Sequence, residues 1–418
     1  MANRPAKNIT SLPSHTIVPT ATGLGRLTVG VKDAGVIVAL VTLPLCLNWG
    51  SHGGDSGRRH ADATTLRGME NELSWAGLIS ATLDGRNLSI SEATWAMDEI
   101  VNGRVSDAQL AGFLVGLSAK GETVDEIVGF RDAVLANAIQ LNVSDDAVDI
   151  VGTGGDRHHT VNISTAASVL VAATGVPVVK HGNKAASSSS GSSDVLAALG
   201  VNLGLDSGAV ARVLAETGIT FAFAAAFPPG FRHAAQVRAE LGVPTVFNIL
   251  GPLCNPARPV ASAVGVANAE RIPLMVGVFQ TRDATALVFR GDDGLDELST
   301  TGHSHIWEVS RGKVLEHDFD PLDLGISRAS IGQLRGGDPA HNAEILQATL
   351  AGQSGPVRDI VELNAAAGLV AYSLAHSPEQ VNRPIVERFA EQLIVVRDAI
   401  DSGAATAKLT QWIAATQR

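Results

Sequence analysis

Apolar positions along the chain change their period twice, and the changes divide it. From Glu72 to about Ala138 they recur at helical spacing. Leu78, Ile79 and Leu83 are followed by Gly85, and Ser89-Ile-Ser-Glu92 has the residue types of a capping box opening a second helix. Leu110, Phe113, Leu114 and Leu117 form a third stripe that Ala119-Lys-Gly-Glu122 stops, and Val124–Leu135 forms a fourth. This is the pattern of a small all-helical unit. From Val148 onward, short β-branched runs alternate with helical ones. Ala147–Val151, Val176–Lys180, Thr220–Phe223, Ala263–Val266 and Ala284–Phe289 are strand candidates. Between them, Ser164–Thr174, Ser193–Leu199, Gly208–Glu216, Phe231–Glu240 and Ile272–Phe279 have helical spacing. Such alternation predicts a mostly parallel sheet with helices on both faces. Trp307–Val314 folds back as a hairpin at Arg311-Gly312, and helices return at Asn342–Leu350, Arg358–Leu374 and Pro384–Ile400. Pro384 is expected at the first helical position, where its missing N–H costs nothing.

Residues 1–70 share neither period. They contain one apolar run, Ala34–Leu47, whose 14 residues fall short of the ~20 that cross a bilayer as a helix. The run lies too deep, with too weak a basic flank, for an ordinary secretory signal, and a targeting segment of another kind is the alternative reading. The favoured reading is an unstructured extension or a start placed too early, Met69 being a natural first residue. At ~150 residues per domain, 418 residues suggest two or three domains, and setting the extension aside leaves two. The expected fold is α/β. Its parts are a helical domain at 71–143, with helical contributions from later segments, and a larger domain at 144–418 whose mostly parallel sheet is flanked by helices.

Composition adds little to the fold and something to the partners. Lys and Arg total 31 against 42 Asp and Glu, a net charge of -11, which argues against a nucleic-acid binder, whose contact face is basic. An anionic small molecule stays open, because local dipoles outweigh the global sum. Cys46 and Cys254 stand far apart with no metal or redox spacing, which suits a reduced, cytoplasmic protein without membrane contact.

Three segments carry chemistry. Val151-Gly-Thr-Gly-Gly-Asp156 follows a strand and precedes a helix opening near Asn162-Ile-Ser-Thr165. Glycines let backbone approach a phosphate, and the helix start offers free N–H groups. The alternative is a plain βα turn with a Ser/Thr cap. Lys180-His-Gly-Asn-Lys184, running into a serine-rich stretch to Asp194, supplies cation, amide and hydroxyl donors at a second strand end. A flexible linker explains the serines but not Lys180–Asn183. Both loops fall at carboxyl ends of strands, where open α/β sheets bind ligands. Gly291-Asp-Asp-Gly-Leu-Asp-Glu-Leu298 crowds carboxylates that need solvent or a cation. Oxygen ligands alone suit Mg²⁺, which takes one or two carboxylates plus substrate phosphates. A fourth segment, Phe227–Arg238, places Arg232 and Arg238 about 240° apart on one helix, so at most one faces a given pocket.

Together with Phe247-Asn-Ile-Leu-Gly-Pro-Leu-Cys-Asn-Pro256, these motifs resemble the anthranilate phosphoribosyltransferase family, in the expected order from about Trp75 to Trp412. The resemblance implies a fold of the nucleoside phosphorylase and phosphoribosyltransferase type, a homodimer, and the transfer of a phosphoribosyl group from phosphoribosyl pyrophosphate to anthranilate in tryptophan synthesis. It implies that Gly152, Gly155, Asp156, Thr160, Asn162, Ile163, Ser164, Thr165, Lys180, His181, Gly182, Asn183, Lys184, Ala185, Ala186, Ser187, Ser188 and Ser192 hold the donor. Ser164, Asp296 and Glu297 would bind Mg²⁺, while Gly152, Asn183 and Arg238 would meet anthranilate, Arg238 through its carboxylate. Lys180, Asn183 and Arg238 form the implied catalytic set.

The implied chemistry is a metal-assisted displacement at C1 of the ribose with inversion and no covalent enzyme intermediate, since a neutral aniline nitrogen needs no strong base. Three departures from the family pattern bear on it. Lys184 stands where Arg is usual, Arg157-His158-His159 replaces Gly-x-Asn, and Ala225 and Pro228 stand where Pro and His are frequent near the acceptor entrance. They leave room for another aromatic acceptor. A pyrimidine-nucleoside phosphorylase and a non-catalytic nucleic-acid-binding relative are the competing readings. The first lacks Asn162–Thr165 paired with Asp296-Glu297, and the second should be basic.

Overall fold

The computed structural model describes residues 73–184, 190–224, 227 and 229–418. Its first four elements are helices α1 (Trp75–Leu83), α2 (Ile90–Val101), α3 (Asp107–Lys120) and α4 (Val124–Ala136). Sequence explains each start. Ser89-x-x-Glu92, Ser106-x-x-Gln109 and Thr123-x-x-Glu126 all close reciprocal capping boxes, two more than the pattern analysis singled out. Glu126 is fully buried, yet its carboxylate accepts from the Leu88 and Thr123 N–H groups and from Lys120 Nζ, so its charge is satisfied. Edge-on contacts of Trp75 with Phe113 and Phe113 with Phe130 fill the centre of the bundle.

Among the described residues after the bundle, seven strands form one sheet. Its strands are β1 (Val148–Gly152), β2 (Val178–Gly182), β3 (Ile219–Phe223), β4 (Ala261–Gly265), β5 (Thr285–Gly291), β6 (Ser304–Ser310) and β7 (Lys313–Phe319). The order is 3-2-1-4-5-6-7, with strands 1 to 5 parallel and the last two antiparallel. The expected mixed α/β architecture is what forms. The hairpin between β6 and β7 turns at Arg311 and Gly312, both at positive φ, as a two-residue turn joining right-twisted strands requires.

Chain order runs outward from β1 through β2 and β3, then resumes on the other side at β4 and β5. A crevice therefore opens between the carboxyl ends of β1 and β4, the kind of switch point where open sheets bind ligands. Alternate strand residues face opposite cores. Ile150, Ala263 and Leu287 meet one helical layer, while Val151, Val264 and Val288 join the core that contains the four-helix bundle.

Between the strands run α5 (Ile163–Ala173), α6 (Ser192–Ala198), α7 (Ser207–Thr217), α8 (Arg232–Leu241), a one-turn α9 (Phe247–Leu250) and α10 (Ile272–Thr281). The chain ends in α11 (Pro339–Leu350), α12 (Pro356–His376), α13 (Ile385–Asp401) and α14 (Ala404–Thr416). Two expectations need correction. Pro384 is the cap of α13 and not its first helical residue, because its ψ of 131° is extended. Pro339 and Pro356 occupy that first position instead. Helix α14 was not anticipated: its Ala- and Thr-rich sequence has a weak stripe, although Ala405, Leu409, Trp412 and Ala415 bury into the core. Among the described residues no helix is long and apolar enough to cross a membrane.

Candidate active site

Strands β1, β2, β4 and β5 each end in glycine, at Gly152, Gly182, Gly265 and Gly291. The reason is plain at the β1/β4 pair. A Cβ on Gly152 would overlap the Asp296 carboxylate, and one on Gly265 would overlap the Asp296 backbone. These glycines let the acidic segment after β5 fold over the strand ends. Asp296 and Glu297 are thereby buried side by side. The Gly154 N–H donates to Asp296 Oδ2 at 2.6 Å, and Leu298 exchanges hydrogen bonds with the buried Asn364 of α12, at 2.9 Å each way.

Lys180, on β2, is also buried. Its Nζ donates to the Ile150 carbonyl at 2.6 Å and to Ser164 Oγ, at the start of α5, at 3.3 Å. Burial pulls its pKa down, against the pull of Asp149, Glu297 and Asp296. Asp296 is pushed up by burial and by the facing Asp156. Glu297 rises well above its ordinary value through burial and Asp296, with Lys180 and the Ser164 backbone opposing. One ammonium thus faces three carboxylates, and burial is the largest cause that raises Asp296 and Glu297. Among the described residues no group of three His, Cys, Asp or Glu side chains is arranged to hold a metal. The oxygen-bearing groups gathered here are the buried Asp296 and Glu297 carboxylates and, through its bond from Lys180, the Ser164 hydroxyl.

Other expected residues fall around this cluster. Gly155 lies in the first loop at φ +87°, and Thr160 bridges Arg335. Asn162 caps α5 without a side-chain cap bond. Its amide instead donates to the Ser190 carbonyl and accepts from Asn342, each near 3 Å. Ile163 and Thr165 are buried in the first turn, the Thr165 hydroxyl without a partner among the described residues. Gly182 packs on Ser192, whose hydroxyl donates to the Asn183 carbonyl at 3.2 Å. Asn183 and Lys184 are exposed. Ala185, Ala186, Ser187 and Ser188 lie outside the described residues, as do Ala225 and Pro228.

Arg238 stands apart. It is half-buried on α8, its guanidinium 5.0 Å from the Phe247 ring centre, and among the described residues it makes no ion pair. Arg232, on the same helix, is exposed.

Behind Lys180 is a layer that joins His181 and the Phe247–Pro256 motif to Asp149, a residue no motif contains. Asp149 on β1 is buried, accepting from the His181 N–H at 3.1 Å and from Asn255 at 2.9 Å. Burial raises its pKa to about 6, with Lys180 and Asn255 opposing. Asn255 also donates to the Val179 carbonyl at 2.8 Å, and His181 Nδ1 lies 2.8 Å from the Gly251 carbonyl. Since a carbonyl only accepts, Nδ1 is the protonated nitrogen, and burial lowers the His181 pKa to about 4. The Phe247–Pro256 stretch is thus fastened beneath the Lys180 strand. The available signal was one charged residue inside the apolar run Ala147–Val151.

Comparison with known proteins shows which family the chain belongs to. Family models for the "Glycosyl transferase family, a/b domain" and its "helical bundle domain" match residues 144–406 and 76–138. The anthranilate phosphoribosyltransferase of Leifsonia xyli is 66% identical over 349 residues, covering 84% of this chain and 100% of its own. That of Clavibacter michiganensis is 61% identical over 350 residues, with 84% and 100% covered. This chain belongs to the anthranilate phosphoribosyltransferase family. The crystal structure of the Thermus thermophilus enzyme superposes with a TM-score of 0.75 at 38% identity, over 82% of this chain and 99% of that one. The Saccharomyces cerevisiae enzyme, solved in complex with phosphoribosyl pyrophosphate and Mg, gives 0.73 at 26% identity with the same coverage. Membership makes the protein a pentosyl-transferring glycosyltransferase of tryptophan biosynthesis.

Proposed function

We propose that the crevice at the β1/β4 switch point transfers the phosphoribosyl group of phosphoribosyl pyrophosphate to the amine of anthranilate. The observation that carries this is the buried Asp296-Glu297 pair, folded over two glycine strand ends beside Lys180 and the start of α5. The amine lone pair forms a bond to C1 as the C1–O bond breaks. The electron pair leaves with diphosphate, and the surplus amine proton passes to water. Lys180 and the α5 N-terminus, with Asn162, Ser164 and Thr165, stabilise the negative charge that develops on the leaving group. Asp296, Glu297 and Ser164 would hold Mg²⁺, which when bound screens that charge. Arg238 pairs with the acceptor carboxylate over the Phe247 shelf, and Asn183 and Gly152 complete the acceptor contacts. With a neutral nucleophile, positioning supplies most of the rate.

The protein acts as a cytoplasmic homodimer on small molecules, without nucleic acid. Residues 71–143 and 144–418 form its two domains behind the 1–70 extension. The test is loss of anthranilate fluorescence on mixing the purified chain with phosphoribosyl pyrophosphate and Mg²⁺, with stoichiometric diphosphate release. Turnover of another aminobenzoate but not anthranilate would overturn the acceptor assignment. A ribosylated enzyme formed from donor alone would overturn direct displacement.

A further inference from the structure

The first loop and the acidic segment meet at a second point, four residues beyond the Gly154–Asp296 bond. There His158 Nε2 lies 2.9 Å from the Asp293 carbonyl oxygen. A carbonyl offers only lone pairs, so the imidazole is the donor. The side chain of the residue it reaches is itself fixed. Asp293 Oδ1 accepts from the Leu295 N–H at 3.0 Å, and Oδ2 accepts from Ser299 and Thr301 hydroxyls at 2.6 and 2.5 Å.

The residues on either side of His158 are unusual. Arg157 and His159 have φ of +62° and +55°, a region that costs residues with a Cβ free energy. The loop keeps this conformation because it is tied on both sides. The His158 N–H donates to Asp156 Oδ1 at 3.3 Å, and the His159 carbonyl accepts from the Gly336 N–H at 2.8 Å. Between these two left-handed residues, the His158 ring meets the acidic segment at Asp293.

We propose that His158 is a positioning residue, bracing the glycine loop against the segment that carries Asp296 and Glu297. One tie between two loops leaves a pivot, whereas two ties fix spacing and angle together. The gap so fixed is the one in which the donor's diphosphate and its divalent cation are gripped, so the inference rests on the function proposed above.

The experiment uses the full chain with His158→Val, which keeps a compact side chain without a donor, and His158→Gln, whose amide can donate to the same carbonyl. Readouts are KM for phosphoribosyl pyrophosphate, the Mg²⁺ concentration for half activity, KM for anthranilate, and the thermal midpoint. A single hydrogen bond of ordinary strength predicts that His158→Val raises the first two by about fivefold. Anthranilate KM and the thermal midpoint should stay near wild type, and His158→Gln should recover most of the loss. Added to the Asp296→Asn/Glu297→Gln double variant, His158→Val should have no further effect, because the groups it positions are gone. Unchanged donor and Mg²⁺ parameters in His158→Val would overturn the brace, as would an equal rise in anthranilate KM with a lowered midpoint. If the double variant alone leaves Mg²⁺ dependence untouched, the metal-site reading fails instead.

Discussion

The two sides proposed for the crevice are built on different physics. On the donor side, Lys180, Asp149, Asp296 and Glu297 are all buried and hold one another through strand ends, backbone bonds and opposed charges. On the side proposed for the acceptor, the Arg238 guanidinium lies half-buried on an aromatic ring and makes no ion pair among the described residues. Diphosphate departure demands concentrated, preorganised charge, and that charge is costly to bury. Recognising one carboxylate demands a single planar fork, which an apolar shelf can hold ready. The contrast teaches that the donor side should trade stability for catalysis, while the acceptor side should trade little.

The largest effect tests that trade directly. The Asp296→Asn/Glu297→Gln double variant keeps groups able to accept from Gly154 and Ser164 but removes two crowded negative charges. Activity should fall by about a thousandfold, on the scale of losing a main electrostatic contact to the transition state. The thermal midpoint should rise, since burial currently pushes both carboxylates well above their ordinary pKa. Steady-state assays and calorimetry on the same preparation check both signs. A drop in activity with a lowered midpoint would mean the pair is chiefly structural.

How much of this was legible in the sequence follows the same divide. Elements with strong periods, such as the four bundle helices and the five parallel strands, could be placed within a few residues, because local spacing and burial agree. The loops after β1 and β2 and the acidic segment could be singled out, because their residue types have no packing use. What stayed hidden was long-range: Asn364 of α12 gripping Leu298, Asn342 of α11 gripping Asn162, and Asn255 joined to Asp149. Each pair is separated by 66 residues or more. Nothing local marks a lone Asn as a partner. Helix α14 was missed for a related reason, since tertiary burial of a few residues outweighs its weak stripe.

A middle-sized effect sharpens the acceptor side. Arg238→Ala should raise KM for anthranilate by roughly ten- to a hundredfold, the worth of a hydrogen bond to a charged group. Donor KM should remain within about twofold, because nothing joins Arg238 to the Lys180 cluster. Arg238→Lys should recover only part, since an ammonium cannot present the fork or cover the Phe247 face equally. Equal rises in both KM values would collapse the distinction between the two sides.

The smallest effect concerns the layer behind Lys180, where two buried groups carry opposite pH dependences. His181 is held neutral, its pKa lowered from 6.5 to about 4 by burial. Between those values the unfolded chain binds the proton more tightly, so His181 contributes stability that is lost as pH falls. Asp149 is raised from 3.8 to about 6. Its native state binds the proton more tightly over that window, so its contribution grows as pH falls. The two nearly offset each other between about pH 4 and 6. His181→Asn keeps a donor near the Gly251 carbonyl and removes one arm of this balance. Between pH 7 and 4.5 the variant should gain about 2 kcal/mol relative to wild type, at 1.36 kcal/mol per pKa unit. Denaturant titrations of both proteins at those pH values measure the difference. Parallel profiles would mean that His181 is not held neutral, and that the donor side balances its buried charge through Asp149 and Lys180 alone.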